Sequence, residues 1–159
     1  MKITSILSLI LLSSLVALAD EKADALKQGK ATFMTCAACH GQDGKGTPAG
    51  PDKLMAPAYK GSKIVDGDPE LFALILLKGI KKEGNDYLGM MMPLSTLDDK
   101  ALAGVMTYVR NEYSEKKDLV TTQQVAAWRE KYKDRTEQVT REEITTFLKK
   151  SEEAGQEKK

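Results

Sequence analysis

The stretch TFMTCAACHGQDGKG, residues 32–46, contains both cysteines and the single histidine of the 159-residue chain. Cys36, Cys39 and His40 lie within five consecutive positions, in the pattern C-x-x-C-H. A disulfide between Cys36 and Cys39 would close a very small loop, so it would constrain little of the unfolded chain. The pattern therefore indicates a chemical site in this segment rather than a structural bridge.

The C-x-x-C-H pattern is typical of covalent haem attachment. Each thiol adds across one vinyl group of the porphyrin, and the next residue, His40, binds the iron as an axial ligand. A thioredoxin-like redox pair fits less well, because it lies in a βαβ context and the residues before Cys36 read as a helix. A structural zinc site needs four ligands, whereas the chain has two cysteines and one histidine. The sequence thus predicts one haem c, held by Cys36, Cys39 and His40.

Iron held by His40 needs a second axial ligand or an open face. The chain has no further histidine, so a methionine thioether is the obvious ligand, and His/Met ligation raises the reduction potential. Met90, Met91 and Met92 stand together before Pro93, in a segment predicted to be a loop. The alternative role for these methionines is adaptable packing in the core. We expect one of them to bind iron and its neighbours to line the haem pocket.

The first nineteen residues read as a signal peptide rather than as part of the fold. Lys2 precedes an uncharged apolar run, and Ala17-Leu18-Ala19 has the small-x-small pattern that signal peptidase reads. The alternative is an uncleaved anchor, but the run is short for the roughly 20 residues that span a bilayer. Cleavage after Ala19 predicts a soluble, exported protein of the periplasm.

The charge balance of the chain argues against a nucleic-acid binder. Loss of residues 1–19 removes one basic residue, Lys2, of the 24, which leaves 23 basic residues against 23 acidic ones. A nucleic-acid binder would show a basic excess. Docking of a partner must therefore use local patches of charge.

Helix signals dominate the rest of the chain. Residues 23–38 read as the first helix, and the glycine- and proline-rich residues 41–67 as a loop round the haem edge. The tripeptide DPE at residues 68–70 is a helix start, and that helix is predicted to run to Lys78 and to stop at Gly79. No convincing period-two alternation occurs, so the sequence predicts an all-α fold.

A further helix is predicted from Asp98, its N-cap, to about Tyr113. Its apolar residues recur with the helical period and form one stripe that should face the core. These residues are Leu102, Val105, Met106, Val109 and Tyr113.

These pieces together resemble the class I cytochromes c, over residues 25–111. Besides C-x-x-C-H, the resemblance rests on Gly29 and Phe33, which are similar to the glycine and the aromatic residue where the family's first helix crosses its last. Residues 97–111 are similar to the family's final helix. It implies a cytochrome c fold, with three main helices wrapped round a covalent haem.

The resemblance also assigns two further site residues. The segment PAYKG, residues 57–61, is similar to the family's P-x-L-x-G element, with Tyr59 in place of leucine. In the family, the proline carbonyl accepts a hydrogen bond from the haem-binding histidine, and this role passes to Pro57, with Pro51 a weaker candidate. Counting back from the last helix makes Met91 the first candidate for the axial ligand. Met92, which directly precedes proline, is the alternative.

The predicted signal peptide occupies residues 1–19. The resemblance then implies a monohaem cytochrome c domain at 20–115, which leaves a helical extension at 116–159. Capping boxes at Thr121 and Thr140 predict short helices at 123–132 and 142–150, followed by a frayed end. The extension either packs back on the domain, which we expect, or serves as a docking appendage.

The function implied by the resemblance is one-electron transport between redox partners, with a dehydrogenase and a terminal oxidase as candidates, rather than enzymatic catalysis. Two alternatives remain open. One is a fixed cytochrome subunit of an oxidoreductase complex, and the other is a haem enzyme or gas-binding protein with an open sixth site.

Overall fold

The computed structural model describes residues 3–84, 87 and 89–156, and Met1 and Lys2 of the predicted signal peptide lie outside this range. The described part is mostly helical, which confirms the all-α prediction. Its elements in chain order are α1 (Ile3–His40), β1 (Pro48–Gly50), β2 (Lys53–Leu54), α2 (Lys63–Asp66), α3 (Pro69–Lys78), α4 (Asp99–Glu112), α5 (Thr122–Lys131) and α6 (Arg141–Gln156).

The predicted bounds of the first helix and the predicted loop at residues 41–67 are wrong. Helix α1 starts at Ile3 rather than at residue 23, and it ends at His40, two residues beyond the predicted end. The stretch 41–67, predicted to be loop throughout, contains the two-stranded antiparallel hairpin β1–β2 and the short helix α2. Both elements are too short for a period-based signal, because a strand of two or three residues shows no repeat.

The predicted helix caps are confirmed. The Asp68 carboxylate accepts a hydrogen bond from the Glu70 amide at 2.9 Å, at the start of α3. Asp98 does the same for the Ala101 amide at 2.7 Å, at the start of α4. Gly79 ends α3 with a φ of 73°, a left-handed conformation that favours glycine.

Helices α1 and α4 cross in direct backbone contact. A Cβ atom at Gly29 would lie 2.0 Å from the carbonyl oxygen of Gly104, so only glycine at position 29 allows this approach. Phe33, one turn further along α1, is buried at the same interface. The crossing that the resemblance implied at Gly29 and Phe33 is therefore present.

Helix α4 buries four residues of the predicted apolar stripe, Leu102, Val105, Met106 and Val109, whereas Tyr113 follows the helix and is half-buried. The helix also buries a charged residue that sequence reasoning missed. Arg110 is only 1% exposed. Its guanidinium donates to the carbonyl oxygens of Val65 (2.6 Å) and Gly67 (3.0 Å) and forms two hydrogen bonds with the Asp118 carboxylate (2.8 and 2.7 Å). These bonds satisfy a buried cation and join α4 to the loop around α2 and to the chain that follows α4.

The extension packs back on the domain, as expected. Val125 of α5 is fully buried and joins the main core, while Val139 joins a second apolar cluster with residues of α3. The capping boxes at Thr121 and Thr140 are both formed. Helix α6 runs to Gln156 rather than to Lys150, and residues 157–159 of the predicted frayed end lie outside the described range.

The second cluster connects α3 with the end of the chain. Its buried members are Leu71, Leu74, Ile75 and Val139, and the half-buried side chains packed against it include Ile80, Met91, Tyr132, Ile144, Phe147 and Leu148.

Among the described residues, no helix is both long enough and apolar enough to cross a membrane.

Candidate haem site

The C-terminal end of α1 presents the two cysteines and the histidine to one cavity of about 520 Å³. Cys36 and Cys39 lie three positions apart, so they share a face of the helix, and neither forms a disulfide. Burial, with a smaller contribution from nearby Cys39, raises the pKa of the Cys36 thiol. Both sulfurs are therefore available for covalent attachment of a ligand that occupies the cavity.

A tight reversal of the chain fixes the end of α1. The amide of Gly46 donates to the carbonyl of His40 at 2.8 Å, and the amide of Thr47 donates to the carbonyl of Cys39 at 2.9 Å. Gly46 has a φ of 87°, and a Cβ there would lie 2.3 Å from the carbonyl oxygen of Ala56. The glycine thus brings the 56–59 segment against the motif.

His40 is oriented by that segment. Its Nδ1 atom lies 3.3 Å from the carbonyl oxygen of Pro57, the contact that the resemblance implied. Nε2 has no hydrogen-bond partner among the described residues, so it is the ring nitrogen available to a metal. Burial lowers the pKa of His40, which keeps the imidazole neutral at pH 7 and its lone pair free for a metal.

An aromatic stack supports the imidazole, and this part of the site was not predicted. The ring of Tyr59 is buried and stacks on His40, with centroids 4.3 Å apart and planes at 14°. Tyr113, which directly follows α4, stacks in turn on Tyr59 with a centroid distance of 5.6 Å. The replacement of leucine by tyrosine in PAYKG was visible in the sequence, but its partners come from distant segments.

All three candidate methionines line the cavity, and their settings differ. Met91 is half-buried, packs against both apolar clusters, and accepts a hydrogen bond at its carbonyl oxygen from the Ile80 amide (2.9 Å). Met90 and Met92 are 50% and 57% exposed. The structure therefore fixes Met91 more firmly than its neighbours.

The remaining wall of the cavity is largely apolar and includes the extension. Helix α3 contributes Phe72, Ile75 and Leu76, and α6 contributes Arg141, Ile144 and Thr145. No sequence signal placed α6 here, because its capping box defines only where the helix starts. The volume lies within the roughly 300–1,000 Å³ usual for ligand sites.

The donor set and the cavity fit a covalently bound haem c. Two unpaired thiols, a neutral imidazole with an available Nε2 and methionine thioethers all face one apolar space. The all-α fold and this site together define a domain of the c-type haem-binding class.

Comparison with known proteins agrees. The family model for cytochrome c matches residues 26–112, more than half of the chain, and the chain belongs to the cytochrome c family, as a class I c-type cytochrome with covalently bound haem c. Two relatives from Thermus thermophilus, each named Cytochrome c-552, are 29% identical over 93 residues. These alignments cover 56% of this chain and 70% and 62% of the two relatives.

Proposed function

We propose that this chain is an exported monohaem electron carrier that cycles between redox partners in the periplasm. The cytochrome c family consists generally of haem-based electron-transfer proteins, which supports a carrier as the coarse function. The observation that carries the proposal is the cavity that His40 and Met91 share. There the His40 ring contacts the Pro57 carbonyl, and the main-chain carbonyl of Met91 accepts a hydrogen bond from the Ile80 amide.

Each site residue has a distinct role in this proposal. Cys36 and Cys39 would hold the haem through thioether bonds, and His40 and Met91 would bind its iron, with Met92 as the alternative to Met91. The carbonyl of Pro57 accepts from His40 Nδ1 and so fixes the tautomer that leaves Nε2 for iron. When bound, haem c supplies the Fe(III)/Fe(II) couple for one-electron transfer.

The protein around the site favours electron transfer over substrate chemistry. With His40 and Met91 both bound to it, the iron would have no open site for a substrate. A peroxidase-like enzyme would also need a distal acid–base group. His40 is the only histidine of the chain and is assigned to the iron in this proposal, so no second imidazole is available for that task.

The partners are proposed by chemistry and by analogy. A dehydrogenase as donor and a terminal oxidase as acceptor would each meet the carrier in a brief encounter, and weak redox encounters bury little surface. The alternative, a fixed subunit anchored by residues 116–159, receives less support, because the apolar side chains of α5 and α6 pack on the cytochrome domain itself.

The test is expression with haem-attachment machinery, followed by spectra of wild type, Met91→Ala and the matched control Met92→Ala. We expect the oxidised wild type to show the far-red charge-transfer band of methionine–iron ligation. Oxidised Met91→Ala should lose the band, and its reduced form should bind carbon monoxide, whereas Met92→Ala should keep the band. The reverse pattern would transfer the ligand role to Met92.

The intact mass tests the remaining parts of the proposal. We expect a periplasmic product that begins at Asp20 and carries one haem. A colourless protein with the mass of the bare polypeptide would refute haem attachment at Cys36 and Cys39. A product that retains residues 1–19 would refute signal cleavage.

A further inference from the structure

We infer that the C-terminal extension positions the methionine ligand. This inference rests on the proposed ligation by Met91. In it, Val139 and Ile144 are positioning residues, which hold the Met91 segment closed over the haem cavity. The extension would then set how readily the methionine leaves the iron, and not only how stable the fold is.

A ladder of backbone hydrogen bonds joins the extension to Met91. The amide of Val139 donates to the carbonyl of Gly79 at 3.1 Å, and the carbonyl of Val139 accepts from the amide of Lys81 at 2.9 Å. The amide of Ile80, which stands between Gly79 and Lys81, donates to the carbonyl of Met91 at 2.9 Å. The strand-like segment 79–81 therefore lies between Val139 and Met91 and is bonded to both.

Close packing makes this segment sensitive to its neighbours. A Cβ atom at Gly79 would lie 2.4 Å from the carbonyl oxygen of Met91, so the two backbones are in direct contact. The Val139 side chain on the other side is fully buried. A shift of the extension away from α3 would remove two of the hydrogen bonds that hold residues 79–81 in this contact.

Side chains of α6 add a second connection. Ile144 lines the haem cavity and packs, with Met91, against the cluster of Leu71, Leu74, Ile75 and Val139. At the start of α6, the amide of Arg141 donates to the Glu83 carboxylate at 2.9 Å. Helix α6 thus contacts both the cavity and the chain that leads to the methionines.

Phe147 provides a matched control on the same helix. It packs against the same cluster as Ile144, but it lies at a separate groove near α2 and does not line the haem cavity. Phe147→Ala removes more volume than Ile144→Ala, so it should destabilise the fold at least as much. A general loss of stability would therefore affect the Phe147 variant as strongly as the Ile144 variant.

The experiment compares full-length, haem-loaded wild type, Ile144→Ala and Phe147→Ala. The first readout is the affinity of the oxidised protein for imidazole, which must displace the methionine. Apparent affinity rises in proportion to the fraction of molecules with the methionine segment open. We expect about a ten-fold rise for Ile144→Ala, equivalent to about 1.4 kcal/mol, and little change for Phe147→Ala.

The second readout is hydrogen exchange of the Ile80 amide in the reduced protein. Ile144→Ala should speed this exchange by a similar factor, while Phe147→Ala should not. Equal effects of the two variants, or no effect of either, would overturn the inference. If Ile144→Ala fails to accumulate, Ile144→Val gives the same comparison with a smaller expected change in the same direction.

The outcomes separate this inference from the proposed function. A wild type without the methionine charge-transfer band would refute ligation by Met91 and with it the inference. A wild type that has the band, with imidazole affinity unchanged in Ile144→Ala, would refute the role of the extension alone.

Discussion

The helix crossing at Gly29 and Gly104 allows a prediction with an internal control, because the two glycines contact each other but differ in the space around them. At Gly29, an added Cβ would lie 2.0 Å from the Gly104 carbonyl oxygen and 2.7 Å from the Tyr108 Cβ. At Gly104, an added Cβ would meet the Gly29 amide nitrogen at 3.1 Å and the Ala25 carbonyl oxygen at 3.2 Å. The first set of distances forces the helices apart, whereas the second needs shifts of a few tenths of an ångström.

The expected costs follow from these distances. Overpacking of a tight core costs about 1–3 kcal/mol, and the Gly29→Ala clash is with backbone, so we take about 3 kcal/mol. Alanine regains about 1 kcal/mol of helix propensity over glycine, which leaves a net destabilisation of about 2 kcal/mol. For Gly104→Ala the smaller contact cost and the same propensity gain nearly cancel. At about 4 °C per kcal/mol, Gly29→Ala should lower Tm by about 8 °C.

Thermal and denaturant unfolding of the oxidised, haem-loaded variants would measure both changes. The haem spectrum at low temperature confirms that each variant carries the cofactor. If Gly104→Ala were as destabilising as Gly29→Ala, or more so, the Cβ contacts at the crossing of α1 and α4 would not determine the cost of these substitutions.

Two further predictions concern charged groups. The Arg135 guanidinium and the Thr140 amide lower the pKa of Glu143 from 4.5 to about 2. The pairing therefore stabilises the fold above pH 4.5, and this contribution is lost as the pH falls toward 2. An NMR titration should find the low pKa of Glu143, and Arg135→Gln should raise that pKa. Asp118→Asn should destabilise the fold by about 2 kcal/mol, because it leaves the buried Arg110 cation with neutral partners only. This cost is below that of a fully buried pair because the Asp118 side chain is 42% exposed. Hydrogen bonds from Arg110 hold the pKa of Asp118 below its ordinary value of 3.8. The wild type should therefore lose more stability than Asp118→Asn as the pH falls below 3.8. Equal loss of stability in acid by the two proteins would contradict the pairing.

Local chemistry explains why part of the site could be predicted. The C-x-x-C-H motif needs its residues within one helical turn, so the sequence itself brings Cys36, Cys39 and His40 together. Helix caps are equally local, since the Asp68 and Asp98 carboxylates bond to amides two or three residues away. The stripe of α4 follows from the helical period alone. For these features, no knowledge of the rest of the chain was required.

The missed surroundings of Arg110 and Tyr59 depend on segments far apart in the sequence. Arg110 is buried although it is charged, because Val65, Gly67 and Asp118 supply hydrogen-bond acceptors from two other segments. Tyr59 reads as a substitution for leucine, and its stack on His40 exists only because the chain reverses after α1.

The sequence by itself determined the covalent haem motif, the helical class and the approximate starts of α3, α4, α5 and α6, because each of these rests on residues within a few positions of one another. The tertiary structure decided which methionine is held against the core and which wall of the cavity α6 covers. Those outcomes depend on backbone hydrogen bonds between residues 79–81, Met91 and Val139, and a contact between distant segments leaves no periodic or local pattern in the sequence.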